Sequence, residues 1–333
     1  MKTRSHVINC LPRATSLFLT QVLLGIAIFF SSFSIAGAIQ NGYPIEAGAV
    51  NWSRDFEESL VRSRDTGKPL LVLFQEIPGC IGCRTFGSEV LTQPLLVEAI
   101  ETEFVPVLVY NNRFGGNDEK LMKRFAEPSW NYQVIRFLDS NAEDIIPRKD
   151  TVWTLAGVAS RMVQTLEKKG KAVPLYLSNL VLEFDTEKHR HLGFAMACFW
   201  TGEYKFGRLD GVVATEAGWY DNREVTLVTY HTEHLNKVDL IHYAEQEQCA
   251  QRVYTFFGER VQSKRLPVKS FVPEEYRRAP PADQKKQLER WPELAHVQNL
   301  TPLQLARLNG LAPDDRVKAL LYLSPKQRRQ LEK

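Results

Sequence analysis

The sequence is short of cysteine. Five occur in 333 residues, at positions 10, 80, 83, 198 and 249. That is too few for a disulfide scaffold of this size, so redox chemistry accounts for them better. There is one CxxC and no second pair, so the clustered ligands of a structural zinc site are missing. No two of the seven histidines stand four residues apart, the spacing of a ligating helix face. His189, His191, His231, His234 and His242 alternate across expected strands and loops, which argues against a metal. The sequence calls for no cofactor. It also lacks internal repeats and low-complexity stretches, which sets repeat architectures aside.

Acidic residues are absent from the first 38 positions. Lys2, Arg4 and Arg13 precede an apolar stretch from Leu17 to Phe33, and Ala36-Gly37-Ala38 offers a small-x-small cleavage site. Residues 1–38 are therefore expected to be a signal peptide. The stretch also fits an uncleaved membrane anchor, and both readings place the rest of the chain outside the cytoplasm. Without this segment Lys+Arg and Asp+Glu both number 39, so no global basic footprint for nucleic acid exists. The balance is uneven along the chain. From Gly258 onward there are 16 basic and 9 acidic residues. A tail docked on the chain's own acidic body is the expected meaning, and an anionic envelope surface is the alternative partner.

Strands alternate with helices, an α/β pattern. Residues 51–65 have helical spacing, with Phe56, Leu60 and Val61 on one face, and Gly67-Lys68-Pro69 ends them. Strands are expected at Leu70–Phe74, Phe104–Tyr110 and Gln133–Leu138, and helices at Glu89–Glu103 and Thr151–Gly170. Asn111–Asp118 is a Gly/Asn-rich loop. A second block, 171–257, holds strands near His191–Phe199, Gly211–Gly218 and Val225–Tyr230. Residues 258–333 are expected to be a proline-rich linker and a short helical tail. Thr301-Pro302 and Ser324-Pro325 are helix starts.

Chemistry centres first on Ile77-Pro78-Gly79-Cys80-Ile81-Gly82-Cys83. A buried strand leading into CxxC at a helix start lowers a thiol pKa through unpaired N–H groups. The region 49–169 resembles the thioredoxin superfamily, and more narrowly the thioredoxin-like (seleno)proteins with a VPGUxxT motif. Cys80 stands at the selenocysteine position and Cys83 at the threonine. The resemblance implies that Cys80 attacks and Cys83 resolves. A static disulfide is the structural alternative. Gln133 stands where a thioredoxin carries its cis-proline. Either Ser129–Tyr132 is inserted or the cis bond is missing.

The second motif is Ala197-Cys198-Phe199-Trp200-Thr201-Gly202-Glu203. It resembles the Gly-Cys-Phe-Trp-Gly-x-Glu signature of class A peptide methionine sulfoxide reductases, extending through Leu209 to Gly218. The resemblance implies that Cys198 attacks a sulfoxide sulfur and that Phe199 and Trp200 form an apolar slot. The family's acidic segment falls on Thr232–Asn236, which puts Asn236 at the acid position. Asn cannot deliver a proton, so Glu203, Glu233 or His234 would have to substitute. Cys249 would resolve a sulfenic acid on Cys198, with a half-buried small residue as the plain alternative.

The expected fold class is α/β: a thioredoxin-like domain (49–169), an α+β sulfoxide-reductase-like domain (171–257) and a helical tail. The expected function is exported thiol-disulfide redox chemistry. The fused N-terminal domain would donate electrons to the second across a mobile linker at Lys168–Pro174. The competing readings are an oxidoreductase whose second domain only binds clients, and an envelope scaffold with static disulfides. Expected partners are proteins or peptides with oxidised Met or Cys, and an external thiol reductant. No nucleic acid is expected.

Overall fold

The N-terminal unit is organised by a strand buried on all six residues, β1, Leu70–Gln75. It is the middle of a three-stranded sheet. β2 (Val105–Tyr110) pairs with it in parallel and β3 (Val134–Leu138) antiparallel. Alternation along β1 splits the core in two. Leu71 and Leu73 join Phe86, Leu96 and Ile100, while Leu70, Val72 and Phe74 join Phe56, Leu60 and Met122. Side chains of a strand alternate faces, and burial of both faces is why β1 is a continuous apolar run. These positions come from a computed structural model that describes residues 44–129, 133–256 and 259–332. The expected signal segment, 1–38, lies outside the described residues. Among those residues no helix is long and apolar enough to cross a membrane.

Helix α1, Phe56–Thr66, begins at Asp55, which accepts from the Glu58 N–H at 2.9 Å, and ends at Gly67 with φ 66°. Val61 was expected on its buried face but is 46 % exposed. It follows Leu60, about 100° around the helix. After β1 the chain enters α2, Ile81–Thr85, which runs on into a π-helical turn, Phe86–Val90. The long helix expected over 89–103 is broken there. It restarts as α3, Pro94–Glu103, where Gln93 accepts from the Leu96 N–H at 2.7 Å and Pro94 takes the first position. α4, Gly116–Arg124, starts inside the expected loop.

α5, Leu155–Lys168, is followed by α6, Leu175–Phe184. The segment between them, expected as a mobile linker, is a hydrogen-bonded turn. The Gly170 and Lys171 N–H groups donate to Glu167 O and Leu166 O, both at 2.9 Å. Tyr176, Leu177 and Leu180 of α6 pack into the first core, so the break between units falls after α6 rather than at residue 171.

The second unit is a six-stranded sheet ordered β8-β7-β4-β6-β5-β9. Its strands are β4 His189–Met196, β5 Val212–Tyr220, β6 Arg223–His231, β7 Arg252–Thr255, β8 Val268–Ser270 and β9 Arg277–Arg278. β5 and β6 form a hairpin turning on Asp221 and Asn222, with φ 53° and 55°. Two positive φ values suit a type I′ turn, which Asp and Asn tolerate. α7 (Phe199–Gly207) and α8 (Lys237–Gln246) cover one face. Their Phe206, Leu240 and Ala244 meet Leu192, Phe194 and Tyr230.

The tail is integrated rather than appended. β8 and β9 extend the sheet at both edges. Three helices follow: α9 Pro302–Leu311, α10 Arg316–Leu320 and α11 Pro325–Gln330. They build their own apolar cluster around Trp291, Leu303 and Leu323. Capping boxes at Thr301 and Ser324 start α9 and α11, and caps of this kind contribute about 1 kcal/mol each. The tail reaches both units. Ser324 Oγ donates to Glu98 at 2.6 Å, and buried Arg307 donates to Gly207 O at 3.1 Å. Its cations Lys269, Arg278 and Lys285 pair with Asp221, Glu216 and Glu203 of the body.

Candidate redox site

Cys80 is exposed and holds the N-cap position of α2, while Cys83, one turn on, is buried. Their sulfurs lie 3.8 Å apart as free thiols. The local sequence explains this asymmetry. Pro78 and Gly79 carry the chain out of β1, and Gly79 leaves no room for a side chain. A Cβ there would sit 2.6 Å from Cys83 Cβ and 2.3 Å from Glu76 O. Burial, and then the hydrogen bond with Cys80, pushes the Cys83 thiol up to about 12.

Carboxylates missed in the sequence complete the surroundings. Glu76 accepts from the Cys80 N–H at 3.3 Å, and a Glu76 oxygen and the two sulfurs all lie within 4.8 Å of one another. Buried Glu46, on the 3-10 turn Ile45–Ala47, accepts from the Gly79 N–H at 3.0 Å. Gln75 ties the two segments together by donating to Glu46 O and Cys83 O, each at 3.1 Å. Asn112 brackets the motif from the other side, accepting from Ile77 N–H and donating to Pro78 O. Only Glu76, four residues before Cys80, carried a local signal.

Gln133 is buried and donates to Val152 O at 3.1 Å. Residues 130–132 of the expected insertion lie outside the described residues. Among those described, the cis peptide is Ile77–Pro78, at the CxxC itself.

The expected second site comes together only in part. Cys198 is half-buried at the N-cap of α7, and Phe199 packs with Ala217, Ala279, Trp200 and Trp219. The slot is not open, however. Trp200 donates its indole N–H to Asp283 O at 2.9 Å, and Gln284 bonds both the N–H and the carbonyl of Ala217. Glu203 is fully buried and salt-bridged to Lys285, so it is committed to the tail.

The remaining expected residues stand elsewhere. β4 and β6 are antiparallel, with Met196 opposite Glu224 and His189 opposite His231. Cys198 follows one end of β4, whereas Glu233, His234 and Asn236 follow the opposite end of the ladder. Seven residues of strand put about 24 Å between those ends. Exposed Glu233 pairs with Lys188 at 2.6 Å, which holds its carboxyl below the usual range. His234 stacks edge-on to His231. Asn236 caps α8, accepting from Val238 N–H and Asp239 N–H at 3.0 and 2.9 Å. The carboxylate that does stand beside the Cys198 turn is Glu224, which accepts from the Phe199 N–H at 2.8 Å. Cys249 is a free, half-buried thiol facing Ala244 O at 3.9 Å, and burial pushes it up to about 11.

No protein-family model matches the chain, and no curated protein matches it. A solved structure described as DsbH oxidoreductase is similar to part of it, at 16 % identity and a TM-score of 0.30. The similarity covers 39 % of this chain and 92 % of the other.

Proposed function

We propose that the N-terminal unit is a thiol-disulfide oxidoreductase in which Cys80 attacks and Cys83 resolves. One observation carries the reading: an exposed sulfur at a helix start, 3.8 Å from a buried one. The Cys80 thiolate attacks one sulfur of a client disulfide, and the other client sulfur leaves as thiolate. Cys83 then gives up its proton and attacks Cys80, which closes the intramolecular disulfide and releases the second client thiolate. Burial keeps Cys83 protonated until that step. Glu76 is the carboxylate placed to accept the proton. An external dithiol restores the pair. The basic and apolar segment 1–38 supports placing this activity outside the cytoplasm.

The test is trapping. A Cys83→Ser variant, exposed to oxidised extracytoplasmic proteins, should accumulate mixed disulfides on Cys80, because the resolving thiol is gone. A Cys80→Ser variant should accumulate none. Equal trapping by both variants would sink the assignment.

The second unit we read as non-catalytic rather than as a sulfoxide reductase. Three features favour this: the tail on Trp200, the Lys285 partner of Glu203, and the distance of Glu233, His234 and Asn236 from Cys198. The side-chain hydrogen bonds to the Ile77–Cys83 segment come from Glu46, Gln75, Glu76 and Asn112, all in the N-terminal unit, which disfavours a relay to Cys198 or Cys249. Methionine sulfoxide turnover with dithiothreitol, above a Cys198→Ser control, would overturn this reading.

A further inference from the structure

We propose that reduced Cys80, Cys83 and Glu76 form a three-ligand site for a thiophilic divalent cation of the Zn2+ type. The geometry carries it. Two thiolates about 2.3 Å from a tetrahedral ion stand about 3.8 Å from each other. The Cys80 and Cys83 sulfurs are 3.8 Å apart. A carboxylate oxygen about 2.0 Å from the same ion would stand about 3.5 Å from each sulfur. The Glu76 oxygen already lies within 4.8 Å of both sulfurs, so a small side-chain rotation closes the site. The Cys80 N–H holds the carboxylate on this side of the turn.

Burial grades across the three ligands: Cys83 is buried, Glu76 half-buried and Cys80 exposed. An ion here sits at the protein surface with its fourth position toward solvent. Three protein ligands and an open position match the arrangement of accessible zinc sites rather than closed structural ones. The cation also offsets the cost of a thiolate at buried Cys83, since a coordinating thiol loses its proton outright.

Loading therefore displaces two thiol protons, and metal and disulfide exclude one another. When a client disulfide oxidises the loaded pair, both electrons leave the two thiolates. The Cys80–Cys83 bond forms, two client thiolates depart, and the cation is released. The ion guards the dithiol until a client arrives. This site shares its sulfurs with the proposed oxidoreductase, but the two are tested separately. Turnover in chelator reports the redox reaction, and metal spectra report the ion.

The experiment titrates the reduced, metal-free full chain with Co2+ under anaerobic conditions. One equivalent should bind with a sulfur-to-cobalt charge-transfer absorption, and Zn2+ should displace it. Bound Zn2+ should protect Cys80 and Cys83 from iodoacetamide, read peptide by peptide, while Cys198 and Cys249 stay reactive as in the metal-free chain. Glu76→Gln should weaken Co2+ binding by about tenfold or more. Absence of the charge-transfer band, or equal affinity in Glu76→Gln, would overturn the site. If that variant fails to fold, the protection experiment on the unmodified chain decides. Cys80 alkylated at an undiminished rate in saturating Zn2+ is then the refuting result.

Discussion

Lys285 places both its ammonium and its backbone N–H on the carboxylate of Glu203, the N–H at 2.6 Å across 82 residues of chain. Glu203 is fully buried, so this charge has no water to fall back on. Removing one member of a buried pair leaves an uncompensated charge. Lys285→Met should therefore destabilise the second unit by about 3–5 kcal/mol. Glu203→Gln combined with Lys285→Met should recover most of that loss. Urea unfolding of the two variants checks it. A single variant within about 1 kcal/mol of the parent would show that the pair is not the tail's anchor.

Selective alkylation reads the asymmetry of the CxxC. Thiols react as thiolates, and burial holds Cys83 protonated through neutral pH. Iodoacetamide at pH 7.5 should modify exposed Cys80 at least about tenfold faster than Cys83. Mass spectrometry of early time points gives the ratio. Comparable rates would mean that Cys83 is not the shielded resolver.

Docking of the tail on α6 should depend on pH through Glu183. Its carboxylate accepts from the Leu303 N–H at 3.2 Å at the start of α9, and burial pushes its pKa up to about 7. A carboxyl raised on folding contributes stability that is fully present below its unfolded value. That stability is lost as pH rises through about 7. Between pH 5 and 8 the chain should lose up to about 3 kcal/mol relative to Glu183→Gln, which keeps an acceptor without a charge. Thermal melts of both proteins across that range give the comparison. Parallel curves would remove Glu183 as the cause.

What the sequence made legible was local. Leu70–Phe74 was visible as a strand because β1 is apolar on both faces. Cys80 at a helix start was visible because Pro78 and Gly79 announce the turn. Glu46 was not visible, because it comes from a turn 33 residues before Gly79. The second motif shows the limit more sharply. The strand leading to Cys198 was legible, but it ends at Met196 and Cys198 caps α7, and the identity of the nearby carboxylate depends on strand register. The β4–β6 ladder brings Glu224 to Cys198 and carries Glu233 to the far end. The tail's excess of cations pointed to docking on the acidic body, but its particular contacts were hidden for the same reason. Lys285 and Asp283 sit in a proline-rich stretch with no periodicity, and only tertiary packing places them over Glu203 and Trp200.

The two glycines of the motif make opposite predictions. At Gly79 an added Cβ meets Glu76 O at 2.3 Å and Cys83 Cβ at 2.6 Å, so backbone or the buried cysteine must move. At Gly82 the nearest atoms are Cys80 Sγ at 3.8 Å and the Trp153 ring at 3.9 Å, which is ordinary contact. Overpacking of the first kind typically costs about 1–3 kcal/mol and shifts the displaced group. Gly79→Ala should therefore lower thermal stability and slow closure of the Cys80–Cys83 disulfide. Gly82→Ala should fold as the parent does, and its helical position even favours alanine. Closure rates, followed by quenching free thiols after addition of an oxidised dithiol, separate the two variants. If Gly79→Ala closes its disulfide as fast as Gly82→Ala, the tight packing of residue 79 against Cys83 does not govern the redox step.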